Sequence, residues 1–362
     1  MKRIGICNTN LESGDAVSND MLGMYERLRE KGYQVRLFAL GTTLSEPVVY
    51  PIETLSDFVY NTEDLCLYHY ATGWEQGLNI LSRLKCRKII KYHNVTPCEF
   101  FEGVNEDYAQ ACTIGRELLT KLPEMDVDLY LACSEYSKQE LIRAGAKASI
   151  CEIVPPFHHV ERLKGLEADL AVLDRFSDES VNLLMVGRIA PNKGYDRLID
   201  AFDCYTREYN PKSRLLIVGG QDPKLQSYGD FLKNRIAGSG LEQKVFLTGK
   251  VSDAALKAYY LIADIFLITS LHEGFCVPMV EAMSMKIPIV AVSGSAVTGT
   301  LGNSGILWEE FDPELIAASA NAIASDEHLR FALGEMGWKR YQVYFSNEKI
   351  ENEFLRVLGP FL

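Results

Sequence analysis

The chain has 362 residues, 47% of them hydrophobic and 24% charged, and carries a net charge of −12. That length exceeds a typical single core and suits two domains. The acidic excess argues against broad nucleic-acid binding, which needs basic surface to displace counterions.

The first elements alternate. RIGIC (3–7) reads as a strand, DMLGMYERLREKG (20–32) as a helix closed by a C-terminal Gly, and QVRLFAL (34–40) as the next strand. DLCLYHY (64–70), KIIKYH (88–93) and DLYLACS (128–134) follow as strands. This is the βαβ grammar of a doubly wound parallel α/β sheet. Leading into and within the KIIKYH strand, Lys85, Arg87, Lys88 and Lys91 form a local basic cluster. Two readings stand for it: contact with an anionic membrane surface or phosphorylated acceptor, and a solvated helix end leading into a strand. The N-terminus lacks the apolar stretch of a signal peptide, and no apolar run reaches the roughly 18 residues that span a bilayer. The nine cysteines include no C-x-x-C pair, which disfavours a zinc site and a disulfide scaffold and suits a reducing cytoplasm.

The pattern then restarts. VNLLMVG (181–187), RLLIVGG (214–220), KVFLTG (244–249), DIFLITS (264–270) and IPIVAV (287–292) are five further strands, with GYDRLIDAFDCYTREY (194–209) a helix among them. The polar run after Pro155 and Pro156 marks the boundary near 160–178. The expected organisation is residues 1–165, 166–345, and a closing segment 346–362 that crosses back to the first domain. A cleft between the domains would face the carboxyl ends of the strands, where such sheets bind ligands.

Several nucleotide motifs are absent. IVGGQDPKL has only a Gly pair, not G-x-G-x-x-G, and TGKVS lacks the upstream Gly and the hydroxyl residue of a P-loop. His158 and His159 are adjacent in the linker and would point to opposite sides of an extended chain. HEGFCVPMVEA (272–282) is more informative. Pro278 suits the first position of a helix, so Glu273 falls in a strand-to-helix loop and Glu281 in the first turn of the helix. That loop offers backbone N–H groups at a helix N-terminus, an anion site. Carboxylates are good acceptors for vicinal hydroxyls, so a ligand carrying both hydroxyls and phosphate fits. Helix capping by the two glutamates is the alternative. GRIAPNKG (187–194) adds Arg188 and Lys193 at another strand end, cations that suit a diphosphate leaving group without a metal ion. The alternative there is a plain turn.

The segments VGRIAPNKGYDRLIDAF, VFLTGKVSDAALKAYYLIADIFL, SLHEGFCVPMVEAMSMKIPIVAV and ACSEYSKQELIRAG, with E-x7-E after G-R-x-x-x-x-K-G, together resemble the retaining GT-B glycosyltransferases of family 4 (glycosyl transferases group 1) of bacterial polysaccharide assembly. The resemblance covers nearly the whole chain. It implies two Rossmann-like doubly wound domains facing a central cleft. It implies that Arg188 and Lys193, with Gly187 beside them, hold the diphosphate, and that Glu281 takes the ribose hydroxyls. Glu273 would face the donor sugar, with the backbone of Gly274, Phe275, Cys276 and Val277 binding sugar and phosphate oxygens. Gly249, Lys250 and Val251 would border the base. Gly14 and Asp15, in ESGDAVSND, would meet the donor phosphate and the acceptor. His93 would stand near the reacting carbon, with His69 its competitor, and Trp74 would stack on a sugar ring or lie partly buried. The sequence departs from the family at Cys276, where Gly is usual, at Met285-Lys286-Ile287-Pro288, at the VPPFHH linker, and in having the single Gly14.

The expected reaction is retaining transfer of a hexose from a nucleoside diphosphate sugar to a saccharide or lipid-linked acceptor. UDP-glucose is the first expectation for the donor and GDP-mannose the second. UDP would be the product, with no metal, no cofactor and no nucleic acid involved. The protein would work in the cytoplasm, associated with the inner face of the membrane. The rivals are a GT-B nucleotide-sugar epimerase, a silent nucleotide-binding subunit and, last, a dehydrogenase.

Overall fold

Both series of apolar runs form parallel sheets. In a computed structural model that describes residues 2–362, the first sheet contains β1 (Arg3–Cys7), β2 (Gln34–Ala39), β3 (Val49–Pro51), β4 (Leu65–Tyr70), β5 (Arg87–Tyr92), β6 (Leu129–Ala132) and β7 (Cys151–Ile153). The second contains β8 (Val181–Val186), β9 (Ser213–Val218), β10 (Val245–Leu247), β11 (Ile265–Ile268), β12 (Ile289–Val292) and β13 (Ile306–Trp308). Their spatial orders are β3-β2-β1-β4-β5-β6-β7 and β10-β9-β8-β11-β12-β13. Every position of β4, β6, β11 and β12 is buried. Helices cover both faces of such sheets, which is why the strands read as unbroken apolar runs. Leu67 of β4 lies between Ile6 and Ile89, and Leu184 of β8 between Leu216 and Phe266. In each sheet the order reverses beside the first strand, between β1 and β4 and between β8 and β11. Loops leaving such a pair diverge and open a crevice at the carboxyl ends.

The chain divides into two units. The first takes the residues up to Glu99, then Glu106–His158 and Asn347–Leu362; the second takes Phe100–Asn105 and His159–Ser346. The stretch read as a linker at 160–178 holds two short helices, Val160–Gly165 and Leu170–Arg175. They are bound to the second unit by Arg162–Asp253 at 3.2 Å and by Lys257 Nζ donating to the Lys164 carbonyl at 2.7 Å. The closing helix, Asn347–Leu358, buries Ile350, Phe354, Val357 and Leu358 in the first unit's core, with Phe354 edge-on to Phe157 at 5.8 Å. Each such side chain contributes roughly 1.5–3 kcal/mol by leaving water.

Two expectations change, and a choice left open is decided. The helix expected at 20–32 begins earlier, as α1 (Ala16–Glu30), because Asp15 caps it. The basic cluster is dismantled: Lys88 and Lys91 are 6% and 0% exposed, and Arg87 is paired with Asp128 at 2.8 Å. Burial of the two lysines and pairing with Asp128, Asp126 and Asp20 take Arg87, Lys88 and Lys91 out of any shared exposed patch. Trp74 is buried against Tyr68 in the core, so its ring is not offered to a sugar. No helix among the described residues is long and apolar enough to cross a membrane.

Candidate active site

The two loops leaving the reversal point of the second sheet are the two motif segments. GRIAPNKG follows β8 and SLHEGFC follows β11. They are stitched together. Asn192, which is buried, accepts from the backbone N–H groups of Leu271 and His272 at 2.9 and 3.1 Å, and its Nδ2 donates to the His272 carbonyl at 3.0 Å. Thr269 Oγ1 donates to the Gly194 carbonyl at 2.9 Å. Gly194 sits at φ 64, and a Cβ there would fall 2.2 Å from the Thr269 carbonyl oxygen, so only glycine permits this approach.

The stitching delivers Lys193 to Glu273. The Lys193 ammonium lies 2.7 Å from both carboxylate oxygens, with side chains 19% and 9% exposed. Ser270 Oγ donates to Glu273 Oε1 at 2.9 Å, and the Glu273 N–H donates to Ser295 Oγ at 2.6 Å. Glu273 is therefore fixed from three sides in a loop. Arg188 is exposed and, among the described residues, is paired with no carboxylate. Gly187 accepts from Tyr195 Oη at 2.7 Å. A Cβ on Gly219 (φ 155) would lie 2.0 Å from the Gly187 carbonyl oxygen. The Gly pair of IVGG thus lets the ends of β8 and β9 close up. Gly219 in turn donates to the Gly249 carbonyl at 3.1 Å, which brings the 249–251 loop, with exposed Lys250 and half-buried Val251, to the same end of the sheet.

Gly274, Phe275 and Cys276 lead into α2 (Val277–Ser284), with Pro278 in its opening turn. Cys276 holds φ 79 and Lys286 φ 60. These are left-handed conformations that favour glycine, so at both places where the chain departs from Gly or small residues it holds a strained backbone. Glu281 is the fifth residue of the helix and so lies in its second turn, not the first as expected. It is held by Tyr260 Oη at 2.5 Å, from the helix Asp253–Ile262. Burial raises the Glu281 carboxyl, and the bond from Tyr260 opposes that rise.

In the first unit, Gly14 turns the chain at φ 81 after β1, and Asp15 is occupied: its Oδ2 accepts from the Ser18 N–H at 2.9 Å and from Ser18 Oγ at 3.1 Å. Its carboxylate serves α1 as a cap. His69, the last but one residue of β4, is 0% exposed, while His93, just past β5, keeps 7%. The rings meet, His69 Nδ1 to His93 Nε2 at 2.8 Å. Asp20 of α1 and Lys91 of β5 complete a buried polar cluster with them, Lys91 Nζ lying 3.7 Å and His93 Nε2 3.4 Å from Asp20 Oδ2. Burial raises the Asp20 carboxyl to about 6 and lowers both imidazoles well below their usual value. Asp20, His69 and His93 could hold a metal ion, with donor atoms within 4.8 Å of one another. Lys91 is the cation present at that carboxylate.

Sequence reasoning reached the loops and missed what fixes them. Asn192 and Ser270 lay inside quoted motifs, but nothing local marks an Asn as a loop stitch. Tyr260 lies in an apolar stretch on a different helix from Glu281, and Asp20 reads as a polar surface position of an amphipathic helix.

A family model described as glycosyl transferases group 1 matches residues 174–340. Mannosylfructose-phosphate synthase of Agrobacterium fabrum is 30% identical over 239 residues, covering 64% of this chain and 52% of that protein. The capsular polysaccharide biosynthesis glycosyltransferase CapM of Staphylococcus aureus is 29% identical over 180 residues, 49% of this chain and 45% of that protein. The chain spans about half the length of the curated relatives it matches. Among solved structures, HepE of Anabaena, in complex with UDP and glucose, superposes with a TM-score of 0.77 at 16% identity, over 99% of this chain and 100% of that one. Sucrose-phosphate synthase from Thermosynechococcus elongatus superposes with a TM-score of 0.77 at 19% identity, over 99% of each chain. The second unit matches the glycosyl transferases group 1 family across its sheet, and the chain as a whole has the GT-B fold of two Rossmann-like α/β domains.

Proposed function

We propose that this protein is a glycosyltransferase that moves a hexose from a nucleoside diphosphate sugar to a hydroxyl of a saccharide or lipid-linked saccharide. The donor in this reading is UDP-glucose, the anomeric configuration is retained, and no metal is used. The observation that carries it is the Lys193–Glu273 pair with Arg188 exposed beside it, at the reversal point of the second sheet. The family match over this unit, the polysaccharide role named for CapM, and the UDP-glucose complex of HepE support the reading.

In this scheme Arg188, Lys193 and the N-terminal end of α2 receive the diphosphate. Glu281, aimed by Tyr260, accepts from the ribose hydroxyls, Glu273 from the sugar, and the 249–251 loop borders the base. As the bond from the anomeric carbon to phosphate oxygen breaks, negative charge grows on the diphosphate, where two cations and the helix end stabilise it. The acceptor oxygen bonds to the same face of the anomeric carbon, and its proton passes to the departing phosphate oxygen. The first unit takes the acceptor, with Gly14 and His93 at the carboxyl end of its sheet. A lipid-linked acceptor would bring the protein to the cytoplasmic face of a membrane, where it would serve polysaccharide biosynthesis.

Calorimetric titration with UDP, GDP and ADP, each in EDTA, tests this. Binding of UDP, abolished in Arg188→Ala, is the expected result. Preference for GDP would move the donor to a GDP sugar such as GDP-mannose. No binding by any of the three would overturn the donor site. Conversion of UDP-glucose to another UDP sugar without an acceptor would make the protein an epimerase.

A further inference from the structure

The cluster around His93 fixes more than its position. The ring centroids of His69 and His93 lie 5.1 Å apart with planes 24° apart, and the facing nitrogens are 2.8 Å apart. That is the spacing of two nearly coplanar rings meeting nitrogen to nitrogen, not of rings stacked face to face. One of the two nitrogens must carry a proton and the other a lone pair.

The neighbours decide which. His93 Nε2 also lies 3.4 Å from Asp20 Oδ2, while His69 Nδ1 is 3.9 Å from it. Asp20 Oδ1 accepts from the Phe157 N–H at 2.8 Å, but no hydrogen-bond donor among the described residues meets Oδ2 in good geometry. A proton on His93 Nε2 bonds His69 Nδ1 and places the positive end of that N–H 3.4 Å from the carboxylate. A lone pair there would face the carboxylate charge. The first arrangement leaves His69 Nε2–H as a buried group without a partner. The second leaves the same nitrogen unpartnered as a bare lone pair and also sets the His93 Nε2 lone pair against a buried carboxylate, which in low-dielectric surroundings is the costlier arrangement. On the other side, Cys133 Sγ lies 3.5 Å from His93 Nδ1. Burial pushes that thiol up to about 12, so it keeps its proton and donates it to Nδ1. Both His93 nitrogens are then committed inward. Lys91 anchors the cluster, reaching the Val154 carbonyl as well as Asp20.

We propose that Asp20 and His69 are positioning residues that hold His93 as a neutral ring with its proton on Nε2. The ring then acts as a fixed polar wall and not as a proton donor or acceptor in the reaction, with Lys91 as the cation of the cluster. The kinetic part of this rests on the glycosyltransferase reading; the protonation pattern does not.

Long-range proton–nitrogen NMR of the histidine rings in the full chain, assigned with His69→Asn and His93→Asn, reads the pattern directly. Wild type should show both rings neutral and protonated at Nε2 around neutral pH, with no change on adding stoichiometric Zn²⁺. His93 protonated at Nδ1, or charged, would overturn the proposal. Zinc-induced shifts of both rings would make the cluster a metal site and overturn the role of Lys91. Asp20→Asn should move the His93 proton toward Nδ1 and lower kcat for UDP release from UDP-glucose by up to about 10²-fold, with KM little changed. Wild-type kcat should show no histidine limb around neutral pH. A shifted tautomer with unchanged kcat would overturn the positioning role. If UDP-glucose is not a substrate at all, the function reading fails while the NMR result still decides the proton pattern.

Discussion

Glu273→Gln should tighten UDP binding while slowing transfer. The Lys193 ammonium faces two carboxylate oxygens at 2.7 Å, so any diphosphate that approaches Lys193 also meets the Glu273 charge. Gln keeps the shape of the side chain and an oxygen for Ser270 and Lys193, and removes only the charge. Two like charges about 6 Å apart at an effective dielectric of ~20–40 repel by ~1.5–3 kcal/mol. The pair retains 19% and 9% exposure. Solvent and salt therefore cut the gain to about 1 kcal/mol, or about fivefold in Kd. Turnover should fall by ~10²-fold as the contact to the sugar is lost. Calorimetry with UDP in EDTA at two salt concentrations reads the first effect, which should shrink as salt rises; initial rates with UDP-glucose read the second. A folded variant that binds UDP equally or more weakly would refute the argument that Glu273 tempers the charge of Lys193.

Gly194→Ala places a methyl about where the Thr269 carbonyl oxygen stands. It should cost at least ~2 kcal/mol, read as a fall in Tm; an unchanged Tm would show that the two loops are not in contact. Tyr260→Phe removes the hydroxyl that aims Glu281 and should weaken UDP about three- to tenfold, leaving inorganic diphosphate binding unchanged. Equal losses for both ligands would separate Glu281 from the ribose. Asp20, raised by burial to about 6, is protonated in the folded chain at a pH where its unfolded counterpart is ionised. Ionising it therefore costs stability, fully above about pH 6 and not at all below about pH 4. Between about pH 7 and 5 wild type recovers part of that cost and Asp20→Asn does not, while the depressed imidazoles lose stability in both. Urea unfolding at the two pH values should show the steeper loss in Asp20→Asn; parallel losses would contradict it.

The strands and the two motif loops were legible because parallel strands buried on both faces leave unbroken apolar runs, and because Pro278 and the Gly-bounded GRIAPNKG punctuate the chain between them. β3, β7 and β13 were not, since three residues make no period, and the equally short β10 was found only through the motif run KVFLTG that contains it. The basic cluster misled because Lys88 and Lys91 look solvated in a one-dimensional reading. Their partners come from Asp126 and from Asp20 on distant elements, and nothing near Lys91 in sequence announces a buried carboxylate. The assignment of Phe100–Asn105 to the second unit was equally hidden. It rests on the packing of Val104 against that unit's core and on Asn105 donating to the Lys224 carbonyl at 3.0 Å, with no local signal. Glu281 could be placed on a helix but not aimed, since its aim depends on Tyr260.

The helix Asn347–Leu358 has a consequence for biosynthesis. It fills the core of the first unit, yet the ribosome makes it after both sheets. The first unit therefore emerges with an apolar groove open at the site of Phe157, and it waits through the synthesis of the whole second unit before that groove is closed. The second unit has only one short segment from earlier in the chain to collect and can fold as it is made. Vectorial synthesis thus reverses the order of completion: the half that leaves the ribosome first is finished last, and that interval is when a chaperone would meet it.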